Sequence, residues 1–173
     1  MKKISPALYV LTVIAVLLIS SCTKDNHTNN NAYTTSLSAW TAYKASVSNS
    51  YVYTTSQSSF TGYSSETTIT VISGKITNRD YVSYKPDRTV VKEWHETYVD
   101  LGSHSNEGSP LLTIDDIYVK AKNEWLNVDS KANTIYFETK NNGILSTAGY
   151  VPNNCMDDCF TGINIKSITG FDL

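Results

Sequence analysis

Two stretches of helical periodicity stand apart in this chain, and most of what lies between and after them alternates as strands do. Leu37, Trp40, Tyr43 and Val47 recur at steps of three and four, which places them on one face of a helix over Thr35 to Val47. Ile114, Ile117, Tyr118, Ala121, Trp125 and Leu126 form a second apolar stripe. Thr113 suits the N-cap of that helix, and Asp116, three residues on, can return the bond as a capping-box partner. Asp115 and Asp116 also favour the positive end of the helix dipole. The second helix should end around Trp125 to Asn127.

The segments between are strand-like. Ser50 to Phe60 and Glu66 to Ile72 read as a hairpin, with Ile69 and Val71 alternating against Thr68 and Thr70. Ser73-Gly74-Lys75 turns the chain into Ile76 to Tyr84, and Lys85-Pro86-Asp87-Arg88 turns it again into Thr89 to Leu101. Gly102 to Pro110 reads as a loop. After the second helix, Thr134 to Glu138 places Ile135 and Phe137 on one side and Tyr136 and Glu138 on the other. Asn141-Asn142-Gly143 is the strongest hairpin signal in the chain, answered by Ile144 to Val151. A last strand covers Phe160 to Ile168, with Pro152 to Cys159 connecting.

Helix, several strands, helix, three strands is not an alternating βαβ order. It predicts an α+β fold, a curved and mainly antiparallel sheet with two helices on one face. No repeat of 20–50 residues is visible.

The N-terminus is a different kind of sequence. Lys2 and Lys3 precede an apolar run from Ala7 to Ile19, closed by Ile19-Ser20-Ser21-Cys22. A basic start, a short apolar core and small residues before the cut describe a secretory signal, and the run is too short for a spanning helix of roughly 20 residues. The tetrapeptide resembles a lipobox. That resemblance implies cleavage before Cys22, a diacylglyceryl thioether on its sulfur and an acylated amine, palmitate being the usual chain. Three acyl chains at about 0.8 kcal/mol per buried methylene hold a protein permanently at a membrane. Residues 1–21 are therefore expected as signal peptide, 22–34 as a tether too rich in Asn and Thr to order itself, and 35–173 as one domain. Lys24-Asp25 resembles the charged export signal of surface-exposed lipoproteins of the Bacteroidota. The expected location is the cell envelope, anchored at the outer membrane, with periplasmic and surface-facing orientations both open.

Several stretches also resemble a domain of unknown function in small Bacteroidota lipoproteins. They are Trp40-Thr41-Ala42-Tyr43-Lys44, Leu112-Thr113-Ile114-Asp115-Asp116-Ile117-Tyr118, Thr134-Ile135-Tyr136-Phe137-Glu138-Thr139, and the segment from Gly149 to Ile163. The resemblance spans most of the chain from about Leu37. It implies fold and location, and carries over no catalytic residue, cofactor or activity.

Charge excludes some partners. The formal net charge of −2 becomes about −4 once Lys2 and Lys3 leave with the signal peptide. No basic patch calls for nucleic acid. Abundant Tyr, Thr, Ser, Val and Ile favour strands.

Outside the leader, Cys155 and Cys159 are the most specific feature. Four residues apart in a tight connection, in an oxidising compartment, they can form a structural disulfide. A redox-active pair is disfavoured by the CxxxC spacing and by Asp157 and Asp158, which raise thiol pKa. A zinc site would need further ligands that the histidines do not supply. Asp157 and Asp158, with Asn153 and Asn154 nearby, are the weak calcium candidates, set against a solvated turn. His95-Glu96 lacks the second histidine of a zinc protease motif, Val99 standing in its place. His95 with Asp100 or Glu93 could do acid–base work but reads first as strand surface. No nucleophile elbow, P-loop or dinucleotide fingerprint is present.

Tyr51, Tyr53, Tyr81, Tyr84, Tyr98, Tyr136 and Tyr150 fall on expected strands, half of them as core and half as outward contact surface. The resulting expectation is a non-catalytic binding module, without cofactor, that holds a protein or peptide on its open sheet face. The alternative is a carbohydrate-associated accessory protein or weak hydrolase, with Asp157, Asp158, His95 and Glu96 converging in a pocket. A spacer without ligand is the third.

Overall fold

The computed structural model describes residues 24–171; Cys22 and the segment 1–21, where the signal peptide is expected, lie outside them. The sheet has seven antiparallel strands: β1 (Tyr51–Ser58), β2 (Ser64–Ile72), β3 (Lys75–Tyr84), β4 (Val90–Thr97), β5 (Asn133–Glu138), β6 (Thr147–Pro152) and β7 (Thr161–Gly170). Their spatial order is β4-β3-β2-β1-β7-β6-β5. Two meanders, β1 to β4 and β5 to β7, are thus sewn together by the pairing of β1 with β7. The sheet is curved and does not close into a barrel, and two helices pack on one face, so the α+β architecture is as the element order predicts.

The first helix, α1 (Lys24–Ser46), begins ahead of Thr35 and takes in residues expected as tether. Its buried stripe also starts one turn early. Tyr33, Ser36 and Trp40 face the core, and the Tyr33 hydroxyl donates to the Tyr118 carbonyl at 3.0 Å. Once a packed turn exists, each added helical residue costs far less than nucleation did. Ser48 and Asn49, both at positive φ, end the helix and turn the chain into β1.

The second helix, α2 (Ile114–Lys120), has the expected Thr113 cap with both bonds of the capping box to Asp116. It continues as a π-turn over Ala121–Trp125, where Leu126 N–H reaches the Ala121 carbonyl at 2.9 Å. Lys44 of α1 bridges Asp115 of α2 at 2.7 Å, and the Trp40 indole donates to the same carboxylate at 3.2 Å.

The core lies between these helices and the inner sheet face: Tyr51, Tyr53, Ile69, Val71, Ile163 and Ile165 below, Trp40, Ile114, Ile117 and Tyr118 above. Burying a tyrosine requires a partner for its hydroxyl. The Tyr51 oxygen accepts Ile114 N–H at 3.1 Å, and Tyr53 donates to the Leu112 carbonyl at 2.5 Å. Tyr118 donates to the Ser36 carbonyl and accepts Leu145 N–H. Burial pushes the Tyr51 phenol up to about 12 and raises Tyr53 and Tyr118 as well, so all three stay neutral.

Two strand boundaries differ from the sequence reading by three residues or more. The fourth strand stops at Thr97, not Leu101, because the Asp100 carboxylate accepts Thr97 N–H at 2.7 Å and folds the chain back. The sixth starts at Thr147, not Ile144. Asn142 and Gly143, at φ 53° and 86°, make the tight turn expected of Asn-Gly. Ile144 and Leu145 then leave the ladder and bury in the core.

Candidate functional site

The second sheet face carries no covering element among the described residues, but it is not the tyrosine surface expected of it. Register sends Tyr51, Tyr53, Tyr81 and Tyr150 to the helix-bearing face. The outer face instead shows Thr54 bonded to Thr68 at 3.0 Å, His95 against Asp80, and Lys166 on Glu66 at 2.8 Å. Of the seven tyrosines, Tyr84 and Tyr136 point outward from strands, and Tyr98 stands exposed in the turn after β4.

The concave feature lies where the two meanders part. Strand β1 follows β7 only as far as Thr55↔Ile165, with a bulge between Thr54 and Thr55. Beyond that point Gln57 and Ser58 stay with β2, while Thr161 to Asn164 stay with β6. The sheet splits, and a groove of about 660 Å³ occupies the split. That is within the usual range of roughly 300–1,000 Å³ for ligand sites.

Hydroxyls floor the groove: Thr55, Ser56, Ser58, Ser64, Ser65, Ser83 and Ser109. Tyr63, Tyr81, Val91, Pro110, Trp125 and Phe160 supply its apolar walls. The segment from Tyr51 to Ser65 contains no charged residue, which is why the floor is neutral. Thr55 and Ser109 hydroxyls bond each other at 2.5 Å and hold the far wall against β1. The only carboxylate lining it is Asp158, whose Oδ1 accepts Phe60 N–H at 3.0 Å and pins the connecting loop to the β1–β2 turn. Tyr63, in the wall, is 51% exposed; Phe60, next to the lining residue Ser59, is 74% exposed, and Met156, two residues before Asp158, 95%.

The Cys155 and Cys159 sulfurs stand at bonding distance, with Cα atoms 6.3 Å apart, as a short disulfide clip requires. Asp157 and Asp158 sit inside that clip. Among the described residues no three His, Cys, Asp or Glu side chains gather to hold a metal. Asp157, Asp158, His95 and Glu96 do not converge in one pocket. His95 is on the outer face with Asp80, whose hydrogen bond and charge raise its pKa.

Glu96 is fully buried on the inner face, between its cross-strand partner Arg79 and the loop that follows. Desolvation alone would raise its carboxyl. Bonds from Arg79, Gly102 N–H and His104 outweigh that and hold it well below the usual carboxylate range. Trp94 lies stacked between Tyr81 and His104, with ring centroids at 5.2 and 4.3 Å. The network fixes the loop from Gly102 to Ser109, one wall of the groove. Sequence reading missed it. The alternation of β3 and β4 marks Arg79 and Glu96 as same-face residues only after their register is known.

Comparison with known proteins decides nothing further. No family model, curated protein or solved structure matches the chain.

Proposed function

We propose that this chain is an envelope lipoprotein, anchored through Cys22, that binds a protein or peptide partner without catalysis and takes it in the groove between β1 and β7. The observation that carries this reading is the split in the sheet. The backbone flanks of Ser56–Ser58 and Gly162–Asn164 face the groove with no strand between them, a setting that suits an extended polypeptide. Neutral hydroxyls can bond a peptide backbone, and the Tyr63 and Phe160 rings of the wall offer aromatic contact for its side chains. The lipobox and the likeness to small Bacteroidota lipoproteins support the location.

The carbohydrate reading keeps one observation in its favour, the hydroxyl-rich floor beside the Tyr63 ring. Its hydrolase form needs two carboxylates across the scissile bond, and Asp158 is alone in the groove.

The test is a screen of random linear peptides and of an oligosaccharide array against the full chain and its Ser65→Trp variant, whose indole would fill the groove. Peptides retained by the parent and lost by the variant are expected. Retention of oligosaccharides alone would transfer the site to the second reading. Peptide binding unchanged by Ser65→Trp would remove the groove from the proposal.

A further inference from the structure

The two edges of the sheet are treated differently. Edge strands expose unpaired backbone groups, and proteins guard them with charges, prolines or bulges. At one edge, β4 carries Lys92 and Glu93, its pairing with β3 is bulged at Ser83/Tyr84, and Glu107 of the following loop bridges Lys92. At the other, β5 presents Thr134-Ile135-Tyr136-Phe137 without a charge or a proline, the strand's one charge being the terminal Glu138, in unbroken register with β6.

The ladder fixes which groups are free. Ala132 O accepts Asn153 N–H at 2.9 Å in continuation of the β5–β6 register. Backbone bonds to β6 therefore fall at every second residue, Ala132, Thr134, Tyr136 and Glu138. The N–H and C=O groups of Asn133, Ile135 and Phe137 point away from the sheet. Among the described residues no backbone hydrogen bond reaches them from another element.

We infer that β5 is a pairing edge for a second copy of this chain, joined antiparallel about Tyr136. A two-fold axis normal to the sheet keeps inner faces together, so inner residues must meet inner residues. Centred on Tyr136, Ile135 of one copy exchanges both backbone bonds with Phe137 of the other. The two Tyr136 rings meet on the outer face, each already edge-on to its own Phe160 at 6.3 Å. Glu138 falls opposite Thr134, and Lys140 opposite Ala132, so no like charges oppose. Within β5 itself Ile135 meets Phe137 and Tyr136 meets Tyr136, and the strand is complementary to itself in this register. The edge is separate from the groove proposal, and failure of peptide binding leaves it standing.

The experiment is cysteine cross-linking of the full chain in detergent with a mild added oxidant. Tyr136→Cys lies on the axis, at a non-hydrogen-bonded position where Cα atoms approach to about 4.5 Å. It should give a covalent dimer as the main species on a non-reducing gel. Thr134→Cys sits on the same edge but roughly 13 Å from its own counterpart by strand rise, and should stay single. Light scattering of the unmodified chain should give two chains per particle, and Tyr136→Lys should reduce this to one. Equal cross-linking at both positions, no cross-link at 136, or a single chain per particle at every concentration would overturn the inference.

Discussion

Arg79 and Glu96 face each other across β3 and β4 as a bidentate pair, Nε to Oε2 at 2.9 Å and Nη2 to Oε1 at 2.8 Å, with both side chains nearly inaccessible to water. Arg79 also donates to the carbonyls of Ser109 and His104, and stacks over Trp94 at 4.9 Å. Removing one member of a buried pair leaves an uncompensated charge, which costs about 3–5 kcal/mol. Arg79→Met should lower stability by that order in urea unfolding. Adding Glu96→Leu should not restore it, because Gly102 and His104 N–H groups then lose their acceptor. Full rescue by the double variant would show that the network does not hold the loop.

The same carboxylate sets an acid limit. Glu96 is held below its ordinary value of 4.5 in the folded chain. A depressed acid contributes stability that is complete above the unfolded pKa and drains away as pH falls toward the folded one. Stability should therefore be flat above about pH 5 and decline steadily below about pH 4.5. Glu96→Gln should start lower and lose less over the acid range. An equal acid slope in both proteins would assign the decline to other groups.

His95 has the opposite sign. Its bond to Asp80 raises its pKa above 6.5, so the pair's contribution is complete below that value and disappears as pH rises through the folded pKa. The His95 ring protons, followed by NMR, should titrate above 6.5. Asp80→Asn should move the midpoint down. A midpoint unaffected by the substitution would mean that the pair does not persist in solution, as many exposed pairs do not.

The parts of this fold that sequence reveals are those made by local rules. The Thr113–Asp116 capping box, the Asn142-Gly143 turn and the alternation of Ile69 and Val71 each follow from residues within one or two turns of each other. The site does not. Its groove exists because β1 leaves β7 after Thr55↔Ile165, a relation between residues more than a hundred positions apart. Its hydroxyls read as ordinary strand residues until that gap is seen. The tyrosines misled for a related reason. Alternation says that Tyr51 and Tyr53 share a face, but only the helices decide which face is buried, and Ile114 N–H and the Leu112 carbonyl satisfy their hydroxyls there.

The Cys155–Cys159 clip closes a very short loop, so its chain-entropy contribution sits near the low end, about 2 kcal/mol. Its larger effect should be local. The clip holds Asp158 where its carboxylate caps Phe60 N–H, across the groove mouth. Cys155→Ser with Cys159→Ser should lower stability by about that amount and speed hydrogen exchange at the Phe60 amide. Core amides such as Ile69 should slow or quicken only with global stability. Unchanged Phe60 exchange would separate the clip from the groove.

Phe160, in the wall of the groove, lies over a glycine pair. Gly149 and Gly162 are opposite each other in β6 and β7. A Cβ on Gly149 would stand 2.5 Å from the Phe160 ring and 2.5 Å from the Thr161 carbonyl, while Gly162 holds φ at 153°. An aromatic ring laid across strand glycines recovers the packing that they lack. Gly149→Ala must therefore displace the ring, at about 1–3 kcal/mol for overpacking. Phe160→Ala alone should cost less than the loss of a core aromatic, since the ring is half-buried. Combined, Gly149→Ala and Phe160→Ala should fall short of additivity, because the ring that clashes is gone and only the Thr161 carbonyl contact remains. Strict additivity in a double-mutant cycle would mean that the ring does not rest on the glycines in solution.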